Sequence, residues 1–373
     1  ADPAASLPWE VDSAGIPYDH RHGVRFATRH ELDYPLQLWH VKVVPFIAGE
    51  VAHWGQDRDA ADVTRLVGQG GVRASLPFTK INPGVQSELL NLNGLAHKIN
   101  LESELMFADA NRDLARFPLY DPLQDDSIEA SLRRAILFNF GGTLPMTSDD
   151  RFYALRSGMQ GWVASPSTEI ADDLTILRMG VRQRWQTKRG LAGQQRIIDW
   201  ITLDVHGTFF PKSRRDNFGE DMGLVDYDFR WHVGDRVTLL SDGIYDFFPG
   251  GLQKTTLGTS IRRPGIGSFY VGLRSYDGPI TSNILSTSLN YRMSHKWLTT
   301  IASGIDLSNR NIGQVFHLTR IGESFLIGLG ATVDKSKGSV GARFTIEPRI
   351  LARSQYSYAG GVPIPTVGVM GLE

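Results

Sequence analysis

The residue types that most often hold metals or perform catalysis form few close groups in this chain. His20, His22 and His30 lie near one another, on an irregular N-terminal stretch and the first predicted strand. Two acidic pairs, Asp125-Asp126 and Asp149-Asp150, lie in polar stretches typical of loops. Such groups could bind a metal ion or a divalent cation. Solvated turns and loops are the simpler interpretation of both, and we predict no metal site.

Enzyme motifs are also absent from the sequence. It contains no Gly-x-Ser-x-Gly, no P-loop and no His-Glu-x-x-His, and Gly265-Ile266-Gly267 is typical of a hairpin turn because no helix pattern follows it. The lack of cysteine excludes disulfides, thiolate metal sites and a cysteine nucleophile. The net charge of −1 gives no indication of nucleic-acid binding. We predict that the chain is not an enzyme, needs no cofactor and binds no nucleic acid.

The elements that position the side chains are strands, because apolar and polar residues alternate along the sequence. Val340, Ala342, Phe344 and Ile346 share one parity, and the polar residues between them share the other. Successive side chains of a strand point to opposite faces, so this pattern indicates a strand with one apolar and one polar face. Seven such segments, each about ten residues long, fill residues 225–351. That strand length is typical of a membrane β-barrel.

The pattern extends upstream and predicts an all-β protein, a transmembrane antiparallel up-and-down β-barrel of about sixteen strands (range about 14–18). The first strand is expected near residues 23–32, and the second, Leu36 to Trp54, is expected to be interrupted at Pro45. A long loop region with one strand near Ser131 to Gly141 could plug the lumen or cap a mouth of the barrel. The predicted divisions are an irregular N-terminal segment (1–21), the barrel (22–351) with the loop region 109–173, and a Gly/Pro tail (352–373).

Alternation alone does not say which face meets which solvent. A soluble β-rich binding protein would place the apolar face inward, and a membrane barrel places it outward. Crowded basic residues on the polar faces, aromatic residues at strand ends and the long unbroken series of strands favour the membrane barrel. No apolar run reaches 18 residues, so the sequence predicts no transmembrane helix, and a membrane barrel does not need one. The candidate lumen residues are Arg178, Arg182, Arg184, Arg230, Arg274, Arg292 and Arg343.

Prolines mark the two ends of the predicted barrel. A closed barrel must pair its first and last strands, and each proline removes one hydrogen bond from a ladder. Pro35 and Pro45 lie on the first two predicted strands, and Pro348 follows the last. They predict a weak lateral seam, although turn or strand-end prolines remain the alternative interpretation.

Five short runs stand out in the predicted barrel. They are residues 182–190 (RQRWQTKRG), 199–204 (DWITLD), 94–97 (GLAH), 120–122 (YDP) and 242–246 (DGIYD). These runs resemble the lipopolysaccharide-assembly outer-membrane protein family, also called organic solvent tolerance proteins, in a divergent planctomycete-like form. The resemblance covers roughly residues 22–350, the barrel portion. The chain departs from the family because no periplasmic jelly-roll domain and no cysteine are present. We therefore expect a fragment, a processed form or a barrel-only relative.

The resemblance implies a translocon in the bacterial outer membrane that passes lipopolysaccharide or a related glycolipid to the outer leaflet. The lumen arginines would meet phosphorylated sugars, or simply be neutralised by the lumen acids, and the proline-weakened seam would release the acyl chains. Implied partners are the glycolipid, outer-membrane lipids, a plug lipoprotein and periplasmic transport components. A general diffusion porin is the main alternative, and a soluble β-rich binding protein is a third.

Overall fold

A computed structural model describes most of the chain. The described residues are 24–55, 61–113, 156, 171–190, 193–248, 251–277, 282–307, 311–335, 338–348, 358–359 and 362–363. The predicted strand near Ser131 to Gly141 and both terminal segments, except for a few residues of the tail, lie outside them. Within the described part, no helix has the length and apolar character needed to cross a membrane.

The described residues form eighteen strands and one short helix. The strands are β1 (Arg25–Asp33), β2 (Leu36–Leu38), β3 (Val41–Trp54), β4 (Val63–Ser87), β5 (Leu92–Ala110), β6 (Leu174–Arg189), β7 (Arg196–Phe209), β8 (Met222–His232), β9 (Val237–Asp246), β10 (Gly251–Arg263), β11 (Gly267–Tyr276), β12 (Ser282–Arg292), β13 (Trp297–Asp306), β14 (Asn311–Ile321), β15 (Phe325–Asp334), β16 (Ser339–Pro348), β17 (Tyr358–Ala359) and β18 (Val362–Pro363). The helix, α1, is Ser213–Asp216 and lies between β7 and β8.

Strands β1 to β16 form one antiparallel sheet in which each strand pairs with its neighbours along the chain. β2 stands outside this order because it pairs with β3, as β1 does. The two ladders share one register, since Asp33 pairs with Phe46 and Leu36 pairs with Val43. β1 and β2 are therefore two parts of a single edge strand, separated only near Pro35. The sixteen strands occupy fifteen positions across the sheet.

The apolar side chains of this sheet face outward. One lateral row runs across five neighbouring strands through Ile261, Phe269, Leu289, Ile301 and Phe316, which are 37–45% exposed. Large apolar side chains in contiguous exposed rows indicate contact with lipid rather than water. The soluble alternative, which places the apolar face inward, is contradicted by this arrangement.

The opposite face is polar and lies on the inside. In the next lateral row, Ser260, Tyr270, Ser288 and Ala302 are 2–9% exposed. A single sheet buries one face only by curling around it. The predicted fold class, an all-β transmembrane antiparallel up-and-down barrel of about sixteen strands, is confirmed.

Two details differ from the sequence predictions. The C-terminal part contains nine strands, β8 to β16, where seven alternating segments were predicted. β10 has threonine at the outer positions 255 and 259, and β11 has tyrosine at the inner positions 270 and 276, so their alternation is weak in the sequence. Pro45 does not interrupt its strand, because β3 pairs with β4 on both sides of it. The predicted second strand is instead broken at Trp39, whose positive φ of 60° forms the turn between β2 and β3.

The barrel has two different rims. At one, called here the short-turn rim, the connections after β4, β6, β8, β10, β12 and β14 span six residues or fewer. At the other, the long-loop rim, β5 and β6 are joined by residues 111–173, and β7 and β8 by residues 210–221. Bacterial outer-membrane barrels typically have short periplasmic turns and longer extracellular loops.

Candidate functional site

The inner face carries charge in adjacent lateral rows. One row runs through Arg182, Asp204, Asp228 and Asp242, on β6 to β9. These residues share a face because each occupies the same strand parity and the register carries that parity from strand to strand. The same row continues into Thr256 on β10. A polar lumen wall follows directly from the alternating sequence.

All seven predicted lumen arginines lie at inner-face positions, and four of them pair with acids. The closest N–O separations are Arg178–Glu104 at 3.6 Å, Arg182–Glu102 at 3.3 Å, Arg184–Asp204 at 2.5 Å and Arg230–Asp228 at 3.1 Å. The Arg184 pair is bidentate, with a second bond of 2.7 Å. Much of the positive charge on this wall is therefore neutralised locally. Contact of these arginines with a substrate stays a prediction.

The other three predicted lumen arginines are spread around the barrel. Arg274 lies on β11 between Thr256 and Ile284 of the neighbouring strands. Arg292 is exposed at the short-turn rim, where it donates to the backbone oxygen of His295 at 3.4 Å. Arg343 is exposed on β16. The structure therefore groups only the arginines of β6 and β8 on one wall.

A cavity of about 330 Å³ opens on the charged wall. Its lining includes Arg73, Glu102, Glu104, Arg178, Arg182 and His206. Such a mixture of donors and acceptors suits hydroxyl-rich or zwitterionic groups, because both kinds of hydrogen-bonding partner are available. Among the described residues no group of His, Asp and Glu side chains could hold a metal ion.

A second charged cluster lies on β1, β3 and β4, and sequence reasoning missed it. Glu50 is almost fully buried and accepts a hydrogen bond from Arg65 at 2.7 Å, while Arg29 lies 3.7 Å away. Arg29 also donates to Gln69 across the intervening strand. The parity of Arg65 and Gln69 in the alternating segment near residues 63–79 was the signal that could have revealed this cluster.

A buried arginine from the 109–173 region is anchored at the long-loop rim. Arg156 makes a bidentate pair with Asp246 at 2.9 and 2.6 Å, and its Nε donates to Asn217. Its guanidinium lies 5.4 Å from the ring centroid of Phe218. This part of the predicted loop region is therefore attached to the mouth between β7 and β9. The remaining residues of that prediction, apart from 109–113 and 171–173, lie outside the described ranges.

Helix α1 contributes a further buried acid at the same rim. Asp216 accepts from the backbone N–H of Thr175 at 2.9 Å and from Arg215 Nε at 2.5 Å. The hydrogen bond to Asp216 is the largest influence on Arg215 and raises the pKa of its guanidinium above the usual value. The loop between β7 and β8 is thereby tied to the start of β6.

Another buried arginine joins two turns at the short-turn rim. The guanidinium of Arg189, at the end of β6, donates to the backbone oxygens of Leu90 and Asn91 at 3.1 Å each. It also donates to the backbone oxygen of Gly234, in the β8–β9 connection, and to that of His232, the last residue of β8, at 3.0 Å. Asn91 Nδ2 bonds Asp235 at 2.8 Å. Turns four strands apart therefore meet at this mouth.

The predicted seam residues occupy three different positions. Tyr34 N–H donates to the oxygen of Pro45 at 3.0 Å, so the missing N–H of Pro45 weakens the attachment of the edge strand to β3. Neighbouring residues of a strand direct their backbone groups to opposite sides, so the nitrogen of Pro35 faces the free edge of the sheet. Pro348 is the last residue of β16 and pairs with Phe325.

The two edges of the sheet run in the same direction. An antiparallel order of fifteen positions places β1 and β16 parallel, both running from the long-loop rim to the short-turn rim. Within the described residues no ladder joins these two strands. Among the described strands, the antiparallel pattern therefore does not continue from one edge of the sheet to the other.

Comparison with known proteins gives only distant likenesses. No protein-family model and no curated protein matches the chain. Twenty-two chains of solved structures match. A structure described as "Asymmetric conductivity of engineered proteins" has 8% identity and a TM-score of 0.33, covering 87% of this chain and 96% of that one. A mutant of the Rh. blastica porin has 9% identity and a TM-score of 0.31, with the same coverages.

A third likeness is to the FpvAI–pyocin S2 complex. The identity is 10% and the TM-score 0.29, covering 91% of this chain and 51% of that one. At these TM-scores the likenesses carry no argument about the activity of this chain. The class of protein, a membrane-spanning β-barrel, rests on its own sheet and its own exposed apolar rows.

Proposed function

We propose that this chain is an outer-membrane translocon that passes lipopolysaccharide or a related glycolipid to the outer leaflet. The observation that carries the proposal is the pair of parallel edge strands, β1 and β16, between which the described residues form no ladder. Parallel pairing is slightly weaker per residue than antiparallel pairing, and Pro35 removes a donor from the free edge. Sideways passage of an acyl chain needs such a weak line in the wall.

The lumen supports the same proposal. The charged wall at β5 to β8 offers hydrogen bonds to the sugars of a glycolipid. On β10 to β13 the corresponding lateral row consists of Gly258, Gly272, Ser286 and Gly304. The Tyr270 ring lies over Gly258 and Gly272, so small side chains and one aromatic ring line this side of the lumen. The acyl chains would leave through the seam, and no catalytic step is required.

The test is a reversible disulfide across the seam. Because the chain contains no cysteine of its own, only the introduced pair can form a disulfide. Thr28→Cys on β1 is combined in turn with Val340→Cys, Ala342→Cys and Phe344→Cys on β16, and the pair that oxidises is kept. Cells producing only this variant should lose surface glycolipid, measured by lectin binding to intact cells. A reductant should restore it.

The matched control is a disulfide within the wall. Leu289 and Ile301 are neighbours on β12 and β13, so L289C/I301C staples two strands that are already paired. This control should leave glycolipid delivery unchanged under the same oxidation. Continued delivery by the seam-stapled variant would rule out the lateral route.

A diffusion porin is the second candidate, and the ion-paired wall favours it. Oppositely charged pairs that line the cavity, such as Arg182 and Glu102, could form a constriction that admits small solutes. This function predicts steady single-channel conductance that the seam staple leaves unchanged, together with undiminished surface glycolipid. The translocon predicts the loss of glycolipid delivery whatever the conductance.

The partners implied by the resemblance belong to the same proposal. A plug lipoprotein would occupy the lumen beside the charged wall, and periplasmic transport components would meet the short-turn rim. Cross-linking from a photoreactive residue at Asp235, whose side chain is 65% exposed at that rim, would capture such a component.

A further inference from the structure

The short-turn rim of the C-terminal half is strongly basic. Six basic and two acidic residues lie in its four turns, which are residues 233–236, 262–266, 292–296 and 320–324. Their net charge is +4 when His295 is counted as neutral. Among the described residues, the long-loop rim of the same strands has one basic residue, Lys335, against four aspartates, which are Asp246, Asp277, Asp306 and Asp334. The six basic residues, called here the basic rim, are Arg236, Arg262, Arg263, Arg292, Lys296 and Arg320.

Part of the basic rim lies on the lipid-facing side of the wall. Arg263 shares a lateral row with Tyr291, and Arg320 pairs with Trp297. These rows border the exposed apolar rows described above, and both aromatic side chains are exposed. The guanidinium of Arg320 lies 5.9 Å from the centroid of the Trp297 ring. Aromatic and cationic side chains thus lie together at the border of the apolar surface nearest the short-turn rim.

This combination matches the chemistry of a phospholipid headgroup region. Tyr and Trp prefer the membrane–water interface, because one end of each ring is apolar and the other is polar. Arginine binds phosphate oxygens through paired hydrogen bonds, and its stem packs on apolar neighbours. A zwitterionic headgroup would not select for such an excess of cations, whereas an anionic headgroup does.

We propose that the basic rim binds the headgroups of anionic phospholipids in the leaflet at the short-turn end of the barrel. An acidic partner protein could also be attracted by these charges. The lipid is favoured because Arg263, Trp297 and Arg320 continue the lipid-facing rows of the wall. The inference needs a membrane-spanning barrel, and it is independent of the cargo proposed above.

The experiment reconstitutes the full chain in phosphatidylcholine vesicles that contain phosphatidylglycerol. Brominated phosphatidylglycerol or brominated phosphatidylcholine is added at the same mole fraction, and quenching of tryptophan fluorescence gives the relative association constant. The wild-type chain should prefer the anionic lipid, and each cation at the surface contributes up to about fivefold. The variant R263Q/K296Q/R320Q should lose most of that preference.

The matched control removes the same charge from the other rim. Three exposed basic residues lie at the long-loop rim, namely Lys212, Arg214 and Lys335. The variant K212Q/R214Q/K335Q should keep the wild-type preference for anionic lipid. Heat-modifiable mobility on SDS gels verifies that both variants are folded barrels. An undiminished preference in R263Q/K296Q/R320Q, or an equal loss in the control, overturns the proposal.

Two further outcomes are decisive. If the wild-type chain shows no preference for anionic lipid, the proposal fails and an acidic protein partner becomes the better explanation of the basic rim. If inorganic phosphate abolishes the preference while chloride at the same ionic strength does not, the rim binds free phosphate ions, and the lipid proposal also fails. Preference that survives phosphate supports a membrane surface as the ligand.

Discussion

At the scale of single residues, two buried arginines hold the rims of the barrel. Arg156 is 2% exposed and Arg189 is 6% exposed, and each satisfies its guanidinium with several acceptors. If one partner is removed, the other stays buried without a hydrogen-bonding partner. The resulting loss of folding free energy exceeds the net contribution of the interaction itself. These contacts join segments that are far apart in the sequence. Their loss should therefore destabilise the rims where those segments meet.

Replacing Arg156 by Met should loosen the long-loop rim. Asp246 would remain buried without its partner, at a cost of about 3 kcal/mol or more. Hydrogen exchange of residues 213–222 should accelerate, and unfolding in detergent should begin at a lower urea concentration. The double variant R156M/D246L should recover part of the loss, because no unpaired charge remains. A single variant as stable as the wild-type chain would show that the pair carries no net stabilisation.

Replacing Arg189 by Gln should release the two turns that it joins. Hydrogen bonds from charged donors contribute about 1.5–3 kcal/mol each, so exchange in residues 88–91 and 233–236 should rise at least about tenfold. The adjacent Lys188 is exposed and provides the control K188Q, which should leave exchange in both turns unchanged. Equal effects of the two variants would mean that charge, and not the bridge, governs this rim.

At the scale of elements, two prolines remove backbone donors from the edge strand and its pairing. β1 and β2 share one register with β3, but Pro45 lacks the donor that would complete its pair with Tyr34. Pro35 lacks a donor toward the free edge. The two prolines therefore weaken different sides of the same strand, which the sequence had suggested only as a common property of the seam.

Pro45→Ala should tighten the edge strand and hinder glycolipid delivery. The alanine N–H can donate toward Tyr34, which should stabilise the barrel by about 1 kcal/mol. The measurements are the temperature at which the SDS-resistant band disappears and the amount of surface glycolipid. Pro264→Ala, in the turn between β10 and β11, is the matched control and should affect neither. Unchanged delivery in P45A, despite a higher melting temperature, would separate the edge strand from transport.

The alternating pattern predicted the strands and their faces well, because strand parity alone decides which side each residue occupies. Arg182, Asp204 and Asp228 could be assigned to one face from the sequence. Their pairing across strands could not, since it depends on a register that bulges such as the one at Trp185 and Gln186 adjust. The contacts of Arg156 and Arg189 were also beyond prediction, because no periodicity links residues separated by 43 positions or more.

At the scale of the whole molecule, the outward apolar rows predict a barrel that needs a membrane or detergent. A closed barrel resists SDS until it is heated, because all its strands must separate together. After refolding in detergent, boiled and unboiled samples should therefore migrate differently on an SDS gel. Coincident bands from a protein that stays soluble without detergent would contradict the membrane-spanning fold and every proposal that depends on it.

The odd number of strand positions among the described residues has a consequence for where the sheet begins and ends. β1 begins at the long-loop rim and β16 ends at the short-turn rim, so these two points lie on opposite sides of the membrane. A circular permutant that joins Arg25 to Pro348 would need a linker that crosses the hydrocarbon layer of about 30 Å, roughly nine extended residues. For a barrel with an even number of positions a short turn suffices. Protease sites inserted next to Arg25 and Pro348 should accordingly be cut from opposite sides of a sealed vesicle.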